Sequence, residues 1–156
     1  MGGPREVLDA SSPDKPTPAT SRCMPGLYEG EFEGPVTFAV GSINRVTGTI
    51  RAELVLELPT DSLRVRDGVI TGMDTLGVGM SATWTGAVRC GTTQLEDARL
   101  EAGAWDNGST FTGTLEGSYS PTPHSLSGTW QVESREIPLA GGNGEWQMNL
   151  RESRTP

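Results

Sequence analysis

Val46-Thr47-Gly48-Thr49-Ile50-Arg51-Ala52-Glu53-Leu54-Val55-Leu56-Glu57-Leu58 decides the fold. Val46, Gly48, Ile50, Ala52, Leu54, Leu56 and Leu58 alternate with Thr47, Thr49, Arg51, Glu53, Val55 and Glu57. A period of two sends one set to each face of a strand, whereas a helix would scatter both around its axis. One face is apolar and the other almost entirely polar, so the strand must be half-buried.

The same period extends in both directions. Upstream, Tyr28, Gly30, Phe32 and Gly34 alternate with Glu29, Glu31 and Glu33, and the parity continues beyond Pro35 through Val36, Phe38 and Val40. Downstream, Leu63 and Val65 make a short strand that Asp67-Gly68 ends, a dipeptide suited to a hairpin turn; Val69 to Met73 returns from it. Leu76 to Val88 alternates again, then Phe111 to Tyr119, Leu126 to Val132, and Trp146 to Leu150. Asp106-Asn107-Gly108-Ser109, Pro121-Thr122-Pro123 and Gly141-Gly142-Asn143-Gly144 read as turns. Leu95 to Ala102 is ambiguous, because Leu95, Ala98 and Leu100 would also suit a helical turn. The expectation is an all-β antiparallel meander of about eight or nine strands, since sequence neighbours usually pair in space. Closing it into a β-barrel buries the apolar face and removes the edges. A two-layer β-sandwich is the alternative.

A small unit recurs in these strands: apolar, then Thr, Ser or Glu, then Gly, any residue, and usually apolar again. Val46-Thr47-Gly48-Thr49-Ile50, Trp84-Thr85-Gly86-Ala87-Val88, Phe111-Thr112-Gly113-Thr114-Leu115 and Leu126-Ser127-Gly128-Thr129-Trp130 carry it. The glycine shares the parity of the large residues and faces the core. There it allows a sharp bend, or an aromatic ring from the next strand to lie across bare backbone.

The chain has 156 residues, enough for one domain, and a formal charge of −8. Residues 1–22 carry Pro4, Pro13, Pro16 and Pro18 among Ser, Thr and Asp and read as a flexible tether. The all-β domain is expected over residues 23–150, with 151–156 as a frayed end. No apolar run is long enough for a transmembrane helix. The negative charge disfavours nucleic acid and anionic membrane as partners. No apolar stretch follows Met1-Gly2-Gly3-Pro4-Arg5-Glu6, so the expectation is an exported domain whose signal has been removed, with a cytoplasmic location as the alternative. Cys23 and Cys90 are the two cysteines. They read as a disulfide between the start and the middle of the domain, or alternatively as two buried thiols.

The strand grammar of Leu126-Ser127-Gly128-Thr129-Trp130 resembles the meander strands of avidin-like barrels, in isolated pentapeptides only. More broadly, three stretches resemble uncharacterised β-rich envelope proteins and lipoproteins of myxobacteria. They are Cys23-Met24-Pro25-Gly26-Leu27-Tyr28-Glu29-Gly30-Glu31-Phe32-Glu33-Gly34, Cys90-Gly91, and Gly141-Gly142-Asn143-Gly144-Glu145-Trp146. That resemblance spans residues 23–150. It implies an exported domain with paired cysteines and no known activity.

Candidate chemistry is sparse. Glu29, Glu31 and Glu33 line one strand face, about 7 Å apart by strand rise, and read as a solvated face sooner than a cation site. His124 is the one histidine and has no nucleophile and acid marked out beside it, as a catalytic triad would need. Trp84, Trp130 and Trp146 share core parity; Trp105, before a turn, is the expected exposed aromatic at a barrel mouth. The threonine rows Thr47/Thr49, Thr83/Thr85 and Thr110/Thr112/Thr114 would form a hydroxyl surface if their strands were neighbours. Trp105, Thr110, Thr112 and Thr114 are therefore the candidate ligand or partner contacts, with no catalytic residue, metal or cofactor expected. The expected function is a non-enzymatic exported or cell-envelope component that meets a protein partner or assembles with itself. A small-ligand- or glycan-binding barrel of avidin/calycin type is the alternative.

Overall fold

The computed structural model describes residues 23–39, 42–136 and 140–153. The expected tether, residues 1–22, lies outside them, as do residues 154–156. Eight strands follow one another: β1 (Gly26–Ala39), β2 (Ser42–Glu57), β3 (Ser62–Asp74), β4 (Gly79–Arg89), β5 (Leu95–Trp105), β6 (Thr110–Pro121), β7 (His124–Ser134) and β8 (Gly141–Ser153). Each pairs antiparallel with the next, and β8 pairs with β1, so the meander closes into a barrel in sequence order. The barrel, not the sandwich, is the solution this chain adopts.

Closure follows from the alternation. Tyr28, Phe32 and Val36 of β1, and Val46, Ile50 and Leu54 of β2, point inward and are almost fully buried. Two pairs of inward glycines oppose one another, Gly48 with Gly72 and Gly117 with Gly128, and an aromatic ring covers the first pair. Phe32 stands opposite Gly48, and Gly48 opposite Gly72. A methyl on either glycine would lie 2.7–2.8 Å from the Phe32 ring.

Tryptophan repeats the arrangement three times. Trp84 lies over Gly68, Trp130 over Gly144 and Gly34, and Trp146 over Gly117, each within 2.9 Å of where a Cβ would stand. Each indole N–H also donates to a backbone carbonyl: Trp84 to Arg51 at 3.2 Å, Trp130 to Glu33 at 3.2 Å, and Trp146 to Thr129 at 2.9 Å. Arg51 borders a register shift in the β2–β3 ladder. Glu33 borders Gly34 and Pro35, where the β1–β8 ladder lapses. At Arg51 and Glu33 the indole thus meets a carbonyl beside a break in a ladder, whereas Thr129 lies in unbroken register.

The structure departs from the sequence reading at bulges in β3 and β5. Asp67-Gly68 is not a hairpin. It lies inside β3, with Asp67 left-handed (φ 54°) and the ladder to β4 shifting between Arg64 and Gly68. One extra residue moves the inward set from Leu63 and Val65 to Gly68 and Ile70. The two short strands expected on either side of it are therefore one, and the barrel has eight strands, within the eight or nine expected.

β5 carries two such residues, Asp97 and Ala102, both at φ 53°. Its inward residues step from Leu95 to Ala98 and from Leu100 to Gly103. Those three-residue steps are what imitated a helix. The second bulge also turns Trp105 inward: it is 9% exposed and packs on Phe111 with ring centroids 5.9 Å apart, where the sequence placed it in the open.

Three further expectations shift at strand ends. Gly141 to Gly144 are not a turn but the first residues of β8, paired with Glu133 to Trp130. Arg151 to Ser153 continue β8 where fraying was expected, with Glu152 and Ser153 opposite Leu27 and Gly26. Leu58 and Leu76, read as parts of strands, lie in turns and are 69% and 75% exposed.

Candidate functional site

The barrel interior is full. Among the described residues, a void of about 20 Å³ within it is walled by apolar side chains, among them Phe32, Ile50, Leu115, Trp130 and Trp146. That is room for about one water and no more. A second void of about 20 Å³ lies beneath Trp105 and Ala140. A ligand held as small-molecule barrels hold theirs needs hundreds of cubic ångströms.

Polar chemistry gathers at the end of the barrel where β1 begins. Cys23 and Cys90 are at bonding distance, with Cα atoms 5.5 Å apart and no free cysteine remaining. The expected pairing is therefore present. Its location could not be read from sequence. Cys23 precedes β1 and Cys90 follows β4, and these strands stand three places apart around the eight-strand barrel. Cys23-Met24-Pro25 thus forms a strap across the barrel end, with Cys23 and Pro25 buried.

Met24 clamps two phenols beneath this strap. Its N–H donates to Tyr119 Oη at 2.9 Å, and its carbonyl accepts from Tyr28 Oη at 2.7 Å. Tyr119 Oη also meets Tyr28 Oη at 3.2 Å and His124 Nδ1 at 2.5 Å. Proton accounting constrains the set. The Tyr28 proton goes to Met24, and the single Tyr119 proton serves either Tyr28 or His124 Nδ1, with His124 donating from Nδ1 in the first case. Every contact is satisfied in that first case. Burial pushes the Tyr28 phenol well above its usual pKa. His124 is thereby engaged in a structural network at a hairpin start, opposite Pro121.

A wider concavity among the described residues lies outside. A groove of about 940 Å³ runs over the outer faces of β7, β8, β1 and β2. Its walls are exposed carboxylates (Glu31, Glu33, Glu145), hydroxyls (Ser127, Thr129) and the Gln147 amide. Glu33 stands directly opposite Glu145, a like-charge pairing that a sheet normally avoids. Arg45 bonds to Glu33 and relieves part of it. Glu29 sits between Arg51 at 3.8 Å and Arg151 at 3.9 Å. Glu29, Glu31 and Glu33 thus form a solvated face, tied in part to neighbouring arginines.

The contacts singled out from sequence do not assemble. Trp105 is inside the barrel. The threonine rows lie on β2, β4 and β6, each separated from the next by another strand, so no joint hydroxyl surface exists; Thr49 instead meets Thr71 of β3 at 3.1 Å. Thr112 and Thr114 are exposed on β6, opposite Glu133 and Gln131. Thr110 is occupied: its amide donates to Glu136 at 2.9 Å and its hydroxyl donates to the same carboxylate. Those bonds hold the Glu136 carboxyl below its usual pKa. The Tyr28–Tyr119–His124 set was missed because its members face each other only after closure. The inward parity of Tyr28 and Tyr119 was the available signal.

The Asp106-Asn107-Gly108-Ser109 turn is as expected. Gly108 adopts φ 96°, its N–H donates to Trp105 O, and Ser109 N–H donates to Asn107 Oδ1. No helix among the described residues is long and apolar enough to cross a membrane. No family model, no curated protein and no solved structure matches the chain.

Proposed function

We propose that this chain is a non-enzymatic, exported or cell-envelope β-barrel domain that acts as a surface or assembly component through its outer wall. One observation carries the reading: the space available to a partner is outside, about 940 Å³ in the β7–β8–β1–β2 groove against about 20 Å³ within. The Cys23–Cys90 bond fits an oxidising compartment. The resemblance of the Cys23–Gly34 stretch to myxobacterial envelope proteins points the same way.

Crosslinking to the envelope fraction of the native cell tests this. The expected result is a partner captured by the native chain and by Thr83→Lys on the opposite wall, and lost in Glu33→Lys/Glu145→Lys. No partner, or capture indifferent to the groove substitutions, would overturn it.

The second reading, a glycan binder, draws support from the carboxylates, hydroxyls and Gln147 amide of the same groove, a side-chain set suited to sugar hydroxyls. Binding of a neutral oligosaccharide on an array, abolished by Gln147→Ala, would favour it over a protein partner.

A further inference from the structure

We propose that the Cys23–Cys90 disulfide is a redox-operated latch that holds the Cys23–Pro25 strap over the Tyr28–Tyr119–His124 end of the barrel. The bond is no part of the ladders themselves: strands pair only with their neighbours around the barrel, β8 with β1 included, and β1 and β4 are not neighbours. The bond instead joins the residue before β1 to the loop after β4. What it holds down is three residues, whose Met24 amide and carbonyl are bonded to Tyr119 and Tyr28.

The far anchor is itself strained. Thr93, three residues after Cys90, is β-branched and left-handed (φ 62°), a conformation such residues avoid. It is held between two bonds, its N–H donating to Arg89 O at 2.7 Å and its carbonyl accepting from Tyr119 N–H at 2.7 Å. Releasing Cys90 frees this loop to relax and withdraws the strap from both phenols. The two anchors of the strap network, the loop and Met24, both end on Tyr119, so opening one loosens the other.

The chemistry balances with a dithiol reductant. A reductant thiolate attacks one cysteine Sγ and forms a mixed disulfide, and the other cysteine leaves as a thiolate that takes up a proton. The second reductant thiol then displaces the first cysteine and closes the reductant into its own disulfide. Two electrons and two protons pass to the protein. Both cysteines are 1% exposed, so attack follows a transient lift of the strap.

Hydrogen exchange on the purified chain, oxidised and then reduced with dithiothreitol under native conditions, tests the latch. Expected on reduction is at least a tenfold loss of protection at the Met24, Thr93 and Tyr119 amides. Ile50 and Met148 should keep theirs, the near-UV signal of the tryptophans should persist, and re-oxidation should reverse the change. Unchanged protection after verified reduction would overturn the latch. So would loss of protection throughout, which would make the bond a staple of the whole fold. A Cys23→Ser/Cys90→Ser variant should match the reduced chain; if it does not fold, reduction of the folded native chain still decides.

Discussion

The indole N–H of Trp130 on β7 donates to the carbonyl of Glu33 on β1, 97 residues earlier in the chain, at 3.2 Å. The ring crosses β8 at Gly144 to get there. It spans the seam at which the last strand closes on the first, where Gly34 and Pro35 leave that ladder unpaired. One side chain thus fills the core, covers two glycines and satisfies a carbonyl.

Replacing Trp130 by Phe keeps most of the ring but removes the donor. A destabilisation of about 1–3 kcal/mol is expected from the stranded carbonyl and the smaller ring. Urea unfolding checks it, with the midpoint shifted and the slope unchanged.

The glycine pairs are spatial requirements. A Cβ at Gly48 would stand 2.1 Å from Thr71 O and 2.5 Å from Gly72 Cα, backbone atoms that cannot step aside without moving a strand. Gly48→Ala should therefore lower stability by about 2 kcal/mol or more, in the range of overpacked cores. At Gly91 nothing lies within 4 Å of the added carbon. Gly91→Ala should be neutral or stabilising by up to about 1 kcal/mol. Thermal melts of the two variants side by side make the comparison.

Much of this was legible before any coordinates. Period-two alternation from Val46 to Leu58 and from Leu76 to Val88 carried fold class, meander order and the inward glycines, because sheet geometry maps sequence parity directly onto faces. What escaped was where parity resets. Asp67, Asp97 and Ala102 each insert one residue, and Ala102 bears none of the marks of a left-handed position. Each reset inverts the assignments that follow it within its strand. Trp105 was placed outside because it precedes a turn, and the Ala102 bulge turns it inward. The site suffered more. The Tyr28–Tyr119–His124 cluster and the β7–β8–β1–β2 groove join residues from distant strands, and parity does not say which distant strands meet.

Ala102 supplies its own test. An alanine at φ 53° costs about 1 kcal/mol relative to glycine. Ala102→Gly should stabilise the barrel by about that amount, read as a raised unfolding midpoint. A loss of stability would mean that the methyl contributes packing greater than the strain.

The Tyr28 phenol sets an alkaline limit. Its pKa is raised in the folded state above the usual value of about 10. Folding therefore favours the protonated form. The associated stability is complete below about pH 10 and is lost progressively as pH rises beyond it. Stability measured between pH 8 and 11 should fall at the upper end in the native chain and fall less steeply in Tyr28→Phe.

The disulfide closes a long loop, with 67 positions separating its cysteines. In the chain-entropy model that is worth about 4 kcal/mol against the unfolded state. Guanidinium unfolding of oxidised and reduced chain should differ by roughly this figure, with the reduced chain still folded in the absence of denaturant.

The account turns on a filled barrel that works from its outer wall, and small-probe binding inside it is the direct test. Indole or benzene is titrated into the native chain and into Trp130→Ala, with amide chemical shifts read at Ile50, Leu115 and Trp146. The native chain should show no saturable shifts at these residues. The variant, with an apolar cavity on the order of 100 Å³ opened inside, should bind the probe. Saturable binding at Ile50 and Leu115 in the native chain would contradict the account and return the ligand to the interior.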